Sequence, residues 1–296
     1  MRGYMRALLF FVLIPALSAD ERTQMLIDGL AKQADAFQRI APEMLGRETL
    51  HQRALKPPPR FRPRIGEAAK KPLEPSWQER DIISEYGFAI LGDNRQELHE
   101  MRRVIAADGR IVEDEKQAQD SLAKLVTAGD DQRKRLALKQ LEKFGLHGAA
   151  VDFGQILLLF GRRDAERYEF TFSSSFQADE VPLTVFRYKQ LDGPGVMTVF
   201  DGDKPLRLRV EGEVSVRSDS YAPVRITLVA SQGESGAGLR EEATVQYAMS
   251  AYGVLLPSMV EQRELRDGQM TSESKFVYSN FHQFQTSSAI KFGDVH

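Results

Sequence analysis

From Tyr168 onward the chain is written in a period of two, and this constrains its fold more than any other feature. Between Leu206 and Arg217, Leu206, Leu208, Val210, Val214 and Val216 share one face, while Arg207, Arg209, Glu211, Glu213, Ser215 and Arg217 share the other. Successive strand residues point to opposite sides, so this spacing describes a strand with one buried and one wet face. Val224, Ile226 and Leu228 repeat the alternation after Tyr221-Ala222-Pro223. Further strands are expected over 243–250, 255–265, 271–278 and 288–292. Turns are expected at Asp192-Gly193-Pro194-Gly195, at Asp201-Gly202-Asp203, along 231–238 and at Asp267-Gly268. No fixed-period repeat accompanies these strands, which excludes a propeller or a solenoid.

Helical periodicity is confined to the first half. Met25, Leu26, Leu30, Ala34, Phe37 and Ile40 recur mostly every three or four residues, and the segment 20–55 reads as one amphipathic helix or two, with Pro42 starting the second. Strands at 82–91 and 101–107 follow, with a turn at Asp108-Gly109 and a short strand to Val112. A helical pair is then expected over 114–127 and 130–145. The apolar run 152–160 reads as a buried helix capped by Asp152, with a buried strand as the alternative. The fold class is α+β: a curved antiparallel sheet, a half-barrel, in the C-terminal part, with helices on one face and an N-terminal helix before it.

The first residues have the three parts of a secretory signal. Arg2 and Arg6 precede the apolar run Ala7 to Ile14, and Ala16-Leu17-Ser18-Ala19 supplies the small residues of a cleavage point before Asp20. The run is far short of the ~20 residues that span a bilayer, so cleavage after Ala19 and a periplasmic or secreted protein are expected. The chain has no cysteine. No disulfide can staple it, no lipid can be attached at position 20, and a soluble mature protein held by its own core is expected. The net charge of −2 argues against binding nucleic acid through phosphate contacts.

Residues 56–76 hold Pro57, Pro58, Pro59, Pro63, Pro72 and Pro75 among Lys56, Arg60, Arg62, Arg64, Lys70 and Lys71. Proline at this density fixes extended geometry and removes amide donors. The organisation read from the chain is therefore a signal peptide (1–19), an N-terminal helical segment (20–55), a basic linker (56–76) and a helix-plus-sheet domain (77–296). The linker is either a solvated spacer or a tether, through 56–72, to an anionic envelope surface.

No motif identifies an enzyme. Ser121-Leu122-Ala123-Lys124 and Ser272-Glu273-Ser274-Lys275 match Ser-x-x-Lys but lack the downstream partners of a serine acyl enzyme. Gly233-Glu234-Ser235-Gly236 ends on Ala237, outside the nucleophile-elbow pattern. The histidines at 51, 99, 147, 282 and 296 lack paired metal-ligand spacing, and no metal or cofactor is expected. Glu211 and Glu213 share the wet face with Arg207 and Arg209, as a charge ladder does.

What the second half offers instead is aromatic surface. Phe170, Phe172, Phe186, Tyr188, Phe200, Tyr247, Phe276 and Tyr278 are the candidate residues for lining an apolar site on the sheet. The same face filled by helices would be an ordinary core.

Several of these segments also resemble a known family. Phe186-Arg187-Tyr188, the run Pro194-Gly195 to Phe200, and the ending Tyr252-Gly253-Val254-Leu255-Leu256-Pro257-Ser258 through Phe276 to Phe281 are similar to the bacterial lipoprotein carrier and outer-membrane lipoprotein-sorting superfamily. The resemblance covers roughly residues 80 to 292 and implies a half-barrel that holds acyl chains between sheet and helices, with a lipid or lipidated protein as partner. The proline-rich segment and the helical pair depart from a minimal carrier. Three readings stay open: a binding protein for an apolar ligand, an envelope interaction protein without a cavity, and an enzyme assembled from scattered residues such as Arg207, Glu211, Glu213 and His282.

Overall fold

The computed structural model describes residues 19–56, 76–92, 97–141, 143–146, 152–178, 180–201, 204–232 and 238–284. The signal segment expected before Ala19, the proline-rich residues 57–75, the loop residues 233–237 and the strand expected over 288–292 lie outside them. Among the described residues no helix is long and apolar enough to cross a membrane.

The described residues open with helix α1 (Ala19–Ile40), whose buried stripe Leu26, Leu30, Ala31, Ala34 and Phe37 follows the expected spacing. Met25 falls beside the stripe and is exposed. Twelve strands follow: β1 (Met44–Leu55), β2 (Trp77–Leu91), β3 (Glu97–Ala107), β4 (Arg110–Ile111), β5 (Tyr168–Ala178), β6 (Val181–Gln190), β7 (Met197–Asp201), β8 (Lys204–Arg217), β9 (Pro223–Ser231), β10 (Leu239–Met249), β11 (Leu255–Arg266) and β12 (Gln269–Gln283). Helices α2 (Glu115–Thr127) and α3 (Asp131–Leu141) stand between β4 and a 3-10 segment, Phe153–Phe160.

The strands form one open antiparallel sheet in the order β4-β3-β2-β1-β12-β11-β10-β9-β8-β6-β5, with β7 paired to β8. Type I′ chemistry closes two hairpins where the sequence marks them. Asp108 and Gly109 both have positive φ (49° and 74°), as do Asp267 and Gly268 (50° and 78°).

The helical reading of 44–55 is overturned. This stretch is β1, in the middle of the sheet, paired on one side with β2 and on the other with β12. Its residues are good helix formers, but pairing along both edges outweighs propensities worth a few tenths of a kcal/mol each. The period of two was hidden because two inward positions, Glu48 and Gln52, are polar and buried. The Lys56 amide donates to the Ser76 carbonyl at 2.7 Å, so the residues between them connect adjacent strands of a hairpin.

Even-numbered side chains of β1 and β2, such as Leu50, Tyr86 and Phe88, join the main core under α1 and the 3-10 segment. Leu45, Ala89 and Met101 point the other way, against Leu122, Leu125 and Val126 of α2. The fold therefore carries helices over the inner face, with α2 added on the outer face of β2 and β3. Asp114 caps α2, accepting from the amides of Lys116 and Gln117.

Candidate functional site

The inner face of the sheet is the candidate site, and one short segment runs across it. Phe153–Phe160 (Phe-Gly-Gln-Ile-Leu-Leu-Leu-Phe) has Gln155 as its one polar side chain. A buried helix is what this run predicts, and it forms as a 3-10 helix. Asp152 does not cap it. Its carboxylate instead accepts from the Glu100 amide (3.0 Å) and faces His99 Nδ1 (3.0 Å).

The segment touches the sheet at three places. Gly154 lies against Tyr86 of β2, Glu100 of β3 and Pro257 of β11. In the middle, the Leu157 amide donates to the Tyr247 hydroxyl at 3.1 Å, and that hydroxyl donates to the Gly154 carbonyl at 3.0 Å. At the far end the Phe160 ring packs edge-on against Tyr168 and Tyr188, with Phe170 5.8 Å away. A 3-10 helix rises ~2 Å per residue, so eight residues suffice to cross several strands. With Leu26, Leu30 and Phe37 of α1, Leu157 and Phe160 leave the face filled, each having no exposed surface.

Six of the eight expected lining residues meet on this face: Phe170, Phe186, Tyr188, Tyr247, Phe276 and Tyr278 are all buried in the main core. Phe172 stands at the rim on the outermost strand, 39 % exposed, with the Arg22 guanidinium 5.5 Å from its ring. Phe200 belongs to β7, and its side chain lies outside the described residues. Burial drives the phenols of Tyr188 and Tyr278 well above the ordinary tyrosine range, and that of Tyr168, beside Asp164, upward as well.

Sequence reasoning missed a polar cluster at the β1–β3 end of the same face. Arg102 is buried with Glu48 and Glu100 around it. Its Nε donates to both Glu48 oxygens at 2.8 Å, and its Nη2 donates to Glu100 Oε2 at 2.6 Å. The guanidinium also lies 5.2 Å from the Tyr86 ring centre and 5.6 Å from that of Phe276. Burial pushes the Glu100 carboxyl up to about 8, against the pull of Arg102. One cation between two buried carboxylates favours a proton on one of them, and the upward shift points to Glu100.

The scattered residues of the enzyme reading are not brought together. Arg187 of β6 pairs in register with Glu213 at 3.6 Å, which makes the outer glutamates an exposed cross-strand ladder. His282 lies on β12, with β11, β10 and β9 between it and β8, and it faces Gln119 of α2. A cavity of about 510 Å³ sits at the β3–β4 edge rather than on the aromatic face, lined by Arg103, Val112, Glu113, Leu141 and Phe144 among others.

The architecture is thus an open antiparallel half-barrel whose apolar inner face is covered by the chain's own helices. No protein-family model matches the chain, and no curated protein matches its sequence. Among solved structures the chain is similar to a DUF1329 family protein from Desulfovibrio piger, with 10 % identity and a TM-score of 0.34 over 88 % of this chain and 92 % of the other. It is similar also to an outer membrane lipoprotein-sorting protein domain from Vibrio parahaemolyticus (8 % identity, TM-score 0.33, covering 90 % and 94 %). A LolA superfamily protein from Nitrosomonas europaea gives 11 % identity and a TM-score of 0.32 over 92 % and 96 %.

Proposed function

We propose that this chain is an exported binding protein whose inner sheet face takes an apolar ligand, the acyl chain of a lipid or of a lipidated protein, in place of its own segment Phe153–Phe160. That segment is the observation that carries the reading. It is almost wholly apolar, lies along the aromatic face, and is an eight-residue 3-10 helix, a form whose hydrogen bonds are poor and whose runs seldom exceed four residues. An acyl chain supplies the same apolar contacts without needing backbone hydrogen bonds. Phe170, Phe186, Tyr188, Tyr247, Phe276 and Tyr278 are assigned to the lining, Phe172 to its rim, and Phe200 on the sequence alone. Export rests on the signal segment read from residues 1–19, and the periplasm or the exterior is the assigned location.

A second reading, an envelope interaction protein with no ligand, is favoured by the filled state of the face. Native mass spectrometry with lipid extraction separates the two, on protein exported through its own signal and purified without detergent. A stoichiometric acyl ligand is the expected result. Protein that stays empty after incubation with acyl lipids establishes the second reading instead.

A further inference from the structure

We infer that the acyl ligand carries an uncharged hydrogen-bonding group, such as an ester, amide or hydroxyl, and that Glu100 and Tyr86 receive it at the end of the inner face that Gly154 now covers. This rests on the reading of that face as the ligand site. Glu100 and Tyr86 have no exposed surface. Among the described residues the Glu100 Oε1 and Tyr86 Oη atoms nevertheless lack a hydrogen-bond partner. Both converge on one point: a Cβ on Gly154 would lie 2.7 Å from Oε1 and 3.1 Å from Oη. Buried polar atoms are ordinarily satisfied, and two that share a point under a glycine form a polar subsite at one end of an apolar track. The rest of the track is the one that Leu157 and Phe160 occupy.

The surrounding charge selects the group. Arg102 is already engaged by both oxygens of Glu48 and by Glu100 Oε2. Asp152 brings a third carboxylate to the Glu100 amide, and His99 faces Asp152 rather than the subsite. A carboxylate or phosphate entering here meets carboxylates and a cation that is spoken for, in a setting where burial strengthens the repulsion. A neutral donor and acceptor matches a protonated carboxyl and a phenol, each of which can do both.

The test compares 1-monopalmitoylglycerol with palmitate, which share an acyl chain and differ in the head, as ligands of the full exported chain near neutral pH. Affinities come from calorimetry below the micellar concentration, and near-ultraviolet circular dichroism checks each variant's packing. The glycerol ester is expected to bind at least about tenfold tighter. Tyr86→Phe is expected to shrink that preference. Glu100→Gln, which keeps an uncharged donor and acceptor, retains the preference. Equal affinities for the two probes, or a full preference in Tyr86→Phe, overturn the polar subsite and leave the apolar site standing. Failure of both probes to bind overturns the site itself.

Discussion

Arg102 carries a full charge in the core, and its neighbours explain how. A guanidinium is planar and weakly hydrated, so two acidic side chains within hydrogen-bond distance and aromatic rings 5.2 and 5.6 Å from its centre replace the water it loses. Removing it alone leaves the buried Glu48 and Glu100 side chains without their shared cation. Arg102→Met is expected to lower unfolding free energy by about 3–5 kcal/mol in denaturant titrations, and adding Glu48→Gln and Glu100→Gln should recover most of the loss. Glu100 also makes stability depend on pH. The groups facing it are Arg102 of its own strand, Glu48 on β1, Tyr86 on β2, Tyr278 on β12, Tyr247 on β10, and Asp152 ahead of the 3-10 segment. Its carboxyl holds a proton more tightly folded than unfolded. The associated stabilisation is complete below about pH 4.5 and is lost as the pH rises through about 8. Wild type should therefore lose stability relative to Glu100→Gln between pH 5 and pH 9, and parallel pH profiles would show that Glu100 does not titrate in that window. Gly212 offers a third test. Tyr188 reaches across it to donate to the Thr227 carbonyl at 2.8 Å, and a Cβ at 212 would lie 2.1 Å from that oxygen. Gly212→Ala is expected to destabilise by about 1–3 kcal/mol. None of these arrangements was legible in the sequence, because charge is ordinarily solvated and the Arg102–Glu48 pair joins residues two strands apart in the sheet.

Among the elements, those whose signal is local came through. The Asp-Gly turns carry their positive φ in the residue type, α1 and α2 carry a clean 3.6-residue stripe, and β8 carries its alternation in Leu208, Val210, Val214 and Val216. Strand β1 did not, because its identity is set by β2 and β12 on either side and its inward Glu48 and Gln52 break the apolar pattern. The 3-10 segment was legible as buried but not as a cover, since a uniformly apolar run has no face to show what it packs on. Its hold on the sheet is side-chain burial plus the Tyr247 bridge. Phe160→Ala, which removes a fully buried ring, should cost about 3–5 kcal/mol in thermal or denaturant unfolding unless the segment closes the gap.

For the molecule as a whole, the order of strands places β1 beside β12, so the sheet is completed only when the two ends of the described chain meet. The α+β class and the aromatic content of the inner face followed from composition and alternation. Whether that face is filled did not, because filling depends on where α1 and the 3-10 segment dock. If the inner face is the acyl site, Phe153–Phe160 and an acyl chain compete for one surface. Hydrogen exchange on the full chain, with and without monopalmitoylglycerol, tests this, read at the Leu157 amide that Tyr247 now holds. Displacement predicts that the ligand speeds exchange across 153–160 while β10 and β12 keep or gain protection. Unchanged or slower exchange in that segment, with ligand bound, would contradict it.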